Sequence, residues 1–150
     1  MVAVKCRVKG VYMAQGAMGA SPAVILAMDD ETCLPIYIGL WEAMSINSAI
    51  QREVPPRPLT HDLFIDFLNR CNVTMRALVI DSLQDGVYYA NLVLDQDQHE
   101  VTLDCRPSDG IAIGVRCNAE IFIEEQVKAD SAVPAGDLPT LMDIASYLGG

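Results

Sequence analysis

The chain has 150 residues, 20 of them acidic and 10 basic, for a net charge of −10 at pH 7. That length suits one domain able to bury roughly 70% of the surface its unfolded chain exposes, and an apolar content of 51% argues against disorder. No apolar run approaches the ~18 residues of a membrane span, the charged amino terminus does not read as a secretory leader, and the acid excess opposes binding that rests on phosphate charge alone.

Val2, Val4, Cys6 and Val8 alternate along 2–12, the period of a half-buried strand. The small, glycine-rich stretch 14–22 reads as a turn or mobile loop; no Lys-Ser/Thr follows its glycines, so it is no P-loop. Strands are expected over 23–28 and 34–40, with a turn at Asp29-Asp30-Glu31. Ala43, Ile46 and Ile50 mark a helix over 41–52, with Glu42 in its first turn. Pro55, Pro56 and Pro58 then force a stiff, extended connection.

The next helix runs from Thr60, as N-cap, to about Asn69-Arg70, with Leu59 and Phe64 placed for a hydrophobic staple. Three antiparallel strands follow over 73–81, 87–94 and 100–104, turned by Asp85-Gly86 and by 95–98. Pro107 opens a buried helix reaching about Cys117. A short strand over 121–123, a loop over 126–137 and an amphipathic helix over 138–150 complete the reading: a domain at 1–125, a flexible loop, and a terminal helix packed on that domain. The fold class is α+β. A shift of 65 residues aligns Cys6 with Cys71, Ile38 with Leu103 and Ile46 with Ile111, which suggests a duplicated strand-strand-strand-helix unit.

Five cysteines without a C-x-x-C pair, and only two histidines, do not make a structural zinc site. They read as reduced core thiols of a cytoplasmic protein.

Four polar groups remain. In Gly39-Leu40-Trp41-Glu42 a carboxylate stands at a helix start beside the sole tryptophan; it is either helix electrostatics with a packed indole, or a general base or metal ligand. In Arg57-Pro58-Leu59-Thr60-His61-Asp62 a cation, a hydroxyl, an imidazole and an acid gather where free N–H groups can bind an anion. The alternative is that Thr60 and Asp62 only cap the helix. Asp104-Cys105-Arg106-Pro107-Ser108-Asp109 repeats that chemistry, either as a structural Arg106–Asp109 pair or as a charged site. Glu124-Glu125 suits an edge strand kept soluble by charge.

Leu34-Pro35-Ile36-Tyr37-Ile38-Gly39 with Glu42-Ala43, the stretch from Arg57 to Leu63, and Leu103-Asp104 with Arg106-Pro107-Ser108-Asp109 resemble the bifunctional nuclease domain family of bacteria, archaea and plants. The hairpin Asp81-Ser82-Leu83 and Gly86-Val87-Tyr88-Tyr89-Ala90 adds to the likeness, which runs in order through about 1–125. The resemblance implies a compact, self-associating α+β domain and the DNase and RNase activity ascribed to some members. It assigns no catalytic residue. Some relatives carry a carboxy-terminal segment like that of excision-repair nucleases, which is not expected in a chain ending at Gly150. Gly110 stands where the family motif has alanine, which should weaken the helix start by up to about 1 kcal/mol unless something packs closely there.

Two functions remain open. The first is a nuclease for short or single-stranded nucleic acid: Glu42, His61, Asp62 and Asp109 would be catalytic, with Glu42, Asp62 and Asp109 holding Mg²⁺ or Mn²⁺, while Arg57, Thr60, Arg106 and Ser108 bind phosphate. The second is a non-enzymatic oligomeric module for a small anionic ligand or a protein partner. A homodimer or higher homo-oligomer is expected in either case, and no membrane association.

Overall fold

The computed structural model describes residues 2–149. The alternation at the amino terminus continues as one 14-residue strand, β1 (Ala3–Gly16). Its glycine-rich end is not a loop: Gly16 pairs with Gly19 across a two-residue turn, and β2 (Gly19–Ala27) returns antiparallel. Gly19, at φ 109°, takes a backbone conformation closed to most side chains, which lets the hairpin turn. β3 (Thr32–Tyr37) completes a meander and leads into α1 (Leu40–Ile50). The proline-rich connection ends at α2 (Thr60–Arg70).

A second meander follows in β4 (Thr74–Gln84), β5 (Val87–Gln96) and β6 (His99–Cys105). Its turns at Asp85-Gly86 and Asp97-Gln98 have positive φ at both central residues, the form that suits tight hairpins. This meander leads into α3 (Pro107–Cys117), with proline at the first helical position as expected.

β7 (Glu120–Glu124) lies between the meanders, parallel to β4 and antiparallel to β1. The strand order β6-β5-β4-β7-β1-β2-β3 puts one meander-plus-helix unit on each side of β7, first strand innermost. Such an order suits the expected repeat. β7 is therefore central, and Glu124 and Glu125 mark its junction with α4 (Glu125–Ser131) instead of an exposed sheet edge.

Beyond β7 the structure departs from the sequence reading. The expected loop over 126–137 contains α4, the short β8 (Val133–Pro134) beside β3, and a 3₁₀ turn (Ala135–Asp137). Only Val127 anchors α4 in the core, too little to create a period. The expected helix over 138–150 is instead β9 (Leu141–Asp143) and the four-residue α5 (Ile144–Tyr147). The cause lies in β1. β7 pairs with Ala3–Cys6 alone, leaving the far half of β1 an open edge, and β9 fills it opposite Tyr12, Met13 and Ala14. Leu138 and Leu141 also cover Ala23, Ile25 and Ala27 on one face of β2, while Val24 and Leu26 face the main core. Burial on both faces accounts for the unbroken apolar run in β2. Among the described residues no helix is long and apolar enough to cross a membrane.

α3 is buried from Gly110 to Gly114. A Cβ on Gly110 would run into Leu78 Cδ1 of β4 and lie 3.1 Å from Cys105 Sγ, so the glycine lets the helix rest on the sheet. Gly110→Ala gains up to about 1 kcal/mol of helix propensity but overpacks this contact. Overpacking costs about 1–3 kcal/mol, so we expect a net loss of about 1 kcal/mol in urea unfolding; a higher midpoint contradicts the packing described.

Candidate functional site

Three helices begin alike. Glu42, Asp62 and Asp109 each stand third in α1, α2 and α3, where free N–H groups and the helix dipole favour a carboxylate. Gly39 precedes α1, and a Cβ there would collide with the Glu42 carboxylate. Leu59, and not Thr60, holds the capping position of α2; its N–H donates to Asp62 Oδ2 at 2.9 Å, and Thr60 is the first helical residue. Arg106 precedes α3 and donates from Nε to Asp109 Oδ2 at 3.0 Å.

These starts join in one network. Arg106 Nη1 lies 3.3 Å from Glu42 Oε1, and Nη2 lies 3.3 Å from Asp109 Oδ1. His61 Nε2 meets the same Asp109 oxygen at 2.8 Å, while its Nδ1 lies 2.7 Å from Ser45 Oγ. Arg116 donates to Ser45 Oγ at 3.1 Å, to Asp62 Oδ1 at 2.8 Å and to the Ala112 carbonyl at 2.9 Å. The chain of contacts thus runs Glu42–Arg106–Asp109–His61–Ser45–Arg116–Asp62.

Donor and acceptor counting sets the protons. Burial favours the neutral form of Asp109, but hydrogen bonds from Arg106 and His61 outweigh it and hold its carboxyl below the usual carboxylate value. An ionised Asp109 only accepts, so His61 Nε2 carries a proton. In the neutral ring Nδ1 is then bare, and the Ser45 hydroxyl donates to it while accepting from Arg116. Asp62 behaves like Asp109: burial is outweighed by the Arg116 and Leu59 hydrogen bonds, and its carboxyl also falls below the usual value.

A groove of about 600 Å³ opens onto part of this network, lined by Trp41, Glu42, Ser45, Thr60, His61, Arg106 and Asp109. Asp62 lies elsewhere, lining a hollow of about 380 Å³ with Arg116. Ser108 is buried and, with Arg106, lines a third hollow of about 550 Å³. Arg57 is exposed on the connection before α2 and lines none of these three. Glu42, Thr60, His61, Arg106 and Asp109 are therefore brought together, and Arg57, Asp62 and Ser108 are not. Trp41 is 78% exposed, so the indole is not packed as one reading of the sequence had it.

The expected Mg²⁺ or Mn²⁺ ligands do not form a set. Glu42 and Asp109 each bind Arg106, and both Asp62 oxygens are engaged, by Arg116 and by Leu59 N–H. Guanidinium groups thus occupy one oxygen of Glu42, one of Asp62 and both of Asp109. Among the described residues no group of three His, Cys, Asp or Glu side chains could hold a metal ion. The five cysteines are free, but only Cys6 and Cys33 are buried and Cys71 is exposed, so the core-thiol expectation fails for Cys71; burial pushes the Cys6 and Cys105 thiols up to about 12, which suits inert thiols at those two positions.

Ser45 and Arg116 escaped the sequence reading, although spacing carried a signal. Ser45 follows Glu42 by three residues and Arg116 follows Asp109 by seven, so each shares a helix face with a residue already singled out.

The model of the bifunctional nuclease domain matches residues 24–136, which include both proline-led motifs, and the chain belongs to that family. It is 39% identical over 100 residues to an uncharacterised protein of Mycobacterium tuberculosis, a match covering 67% of this chain and 59% of that one. It is 28% identical over 130 residues to bifunctional nuclease 2 of Oryza sativa subsp. japonica, covering 83% of this chain and 40% of the plant protein. Against bifunctional nuclease 2 of Arabidopsis thaliana the identity is 28% over 108 residues, 69% of this chain and 33% of the other. The chain thus spans between a third and three fifths of the length of these relatives.

Arg116, only 10% exposed, satisfies Asp62 and Ser45 together. Arg116→Ala leaves both without their cation and should cost about 3 kcal/mol in chemical denaturation; a loss indistinguishable from that of an exposed arginine contradicts its structural role. Because Asp62 and Asp109 have lowered values in the folded chain, the unfolded chain takes up protons first on acidification. Their stabilisation is full well above the ordinary carboxylate value of 3.8 and is lost as pH falls below it towards the lower folded values. Thermal midpoints should therefore fall steeply below about pH 4, and less steeply in Asp62→Asn. Equal acid sensitivity in the two proteins would exclude Asp62 from this effect.

Proposed function

We propose that the groove where α1, α2 and α3 begin is a phosphodiester-hydrolysing site acting on nucleic acid. The observation that carries this reading is the Ser45–His61–Asp109 alignment opening beside an exposed guanidinium. Arg106 uses three N–H groups on Asp109 and Glu42 and keeps two for a phosphate. Free N–H groups at the start of α2, at Thr60, would add donors to the same anion. A groove water passes a proton to Ser45 Oγ as Ser45 passes its own to His61 Nδ1, and the hydroxide so formed attacks phosphorus. Asp109, accepting from Nε2, stabilises the imidazolium; the departing alkoxide takes a proton from solvent, and His61 returns its Nδ1 proton through Ser45 to solvent, which restores the neutral ring.

Membership in the nuclease-domain family and the names of the plant relatives support this reading. The expected homodimer belongs to it as well, since Leu63 and Phe67, one turn apart on α2, expose an apolar face. One feature favours the alternative of a small-anion binder: every carboxylate of the network already has an internal partner, so Arg106 would hold an anion without reaction. That case predicts thermal stabilisation by phosphorylated ligands and no turnover.

The deciding assay uses protein purified free of contaminating nucleases and short single-stranded DNA or RNA. His61→Ala should lower the rate by about 10²–10⁴, and Arg106→Ala comparably. Arg70→Ala, an exposed arginine paired with Asp66, should change nothing. Equal rates in all four proteins would end the hydrolytic reading.

A further inference from the structure

We propose that Trp41 and Tyr37 are base-stacking platforms on either side of Arg106, so that the substrate of this site is a single strand crossing that guanidinium. The proposal rests on the phosphodiester reading above and adds how the strand is selected. Arg106, 64% exposed, lines two hollows at once. One contains Trp41. The other contains Tyr37 and Tyr88. A phosphate on the spare N–H groups of Arg106 would therefore adjoin two hollows, each with an exposed aromatic side chain in its lining.

Both aromatics stand out from the fold. Trp41 is 78% and Tyr37 58% exposed, although a tryptophan or tyrosine normally buries most of its large apolar surface. They flank the turn from β3 into α1, with Gly39 between them. Lacking a Cβ, Gly39 leaves room for the Glu42 carboxylate that holds Arg106. One short segment thus sets two platforms and the cation between them. Charge selects the same class of ligand. A chain with net charge −10 repels the dense phosphate array of a duplex, whereas stacking on unpaired bases does not depend on net charge. In a duplex the bases are already stacked on each other and are not offered to a side chain.

Trp41 is the only tryptophan, so its fluorescence reports directly on its own contact. The full chain is titrated with a short phosphorothioate-linked oligonucleotide, with a hairpin duplex of the same length, and with an abasic strand. We expect saturable quenching by the base-bearing single strand and little by the duplex or the abasic strand. Trp41→Ala should weaken binding of the single strand, read by anisotropy of a labelled oligonucleotide, by about tenfold to a hundredfold. Trp41→Phe should restore most of it, and Tyr37→Ala should show a smaller loss. No quenching, equal affinity for duplex and single strand, or unchanged binding by Trp41→Ala overturns the proposal. If wild type quenches and discriminates as expected but cleaves neither strand in unmodified form, the stacking assignment stands and the hydrolytic reading fails.

Discussion

Asp109 stands where α1, α2 and α3 begin, and its carboxylate receives the imidazole of one helix and the guanidinium that precedes its own. A partly buried carboxylate without partners is costly, and so is a buried guanidinium such as Arg116. The two halves of the network solve these problems together. Arg106 joins the start of α1 to the start of α3 through Glu42, while Arg116 joins α2 to α1 through Asp62 and Ser45. His61 closes the chain between them. Exposed pairs elsewhere, such as Arg70 with Asp66, place no comparable constraint on the fold, because water satisfies either partner alone.

The pairing that stabilises this corner also shapes its chemistry. Glu42 and Asp109 are held by Arg106 and share one groove, while Asp62 is held by Arg116 in another hollow, so the three acids that look like metal ligands along the chain are not gathered at one point. What remains available is of another kind: two N–H groups on Arg106, the Ser45 hydroxyl, and an imidazole whose second nitrogen is fixed by Asp109. These are groups that can bind and orient an anion, and the proposed function rests on them.

Legibility followed from how each segment achieves its burial. α3 was readable to the residue because Pro107 sets its start and an apolar run sets its burial. α2 and the two tight turns of the second meander were readable for similar local reasons. The hairpin at 14–22 was not, since small residues and glycine serve a ladder and a loop equally well. The carboxy-terminal segment misled more deeply: Leu138, Leu141, Ile144 and Leu148 fit a helical period, yet an open edge of β1, more than a hundred residues away in sequence, takes the stretch as a strand. Site residues divided along the same line. His61, Arg106 and Asp109 belong to marked helix starts and were visible, whereas Ser45 and Arg116 lie inside helices and acquire their roles only when α1 packs against α3.

The fixed imidazole is the centre of this account, and ¹⁵N NMR of the His61 ring examines it directly. With Asp109 ionised and Ser45 donating, the neutral ring should carry its proton on Nε2, protected from exchange, with Nδ1 showing the shift of a hydrogen-bonded acceptor. A proton on Nδ1, or the averaged signals of a solvated imidazole exchanging between tautomers, would mean that the three helix starts do not hold His61 as described.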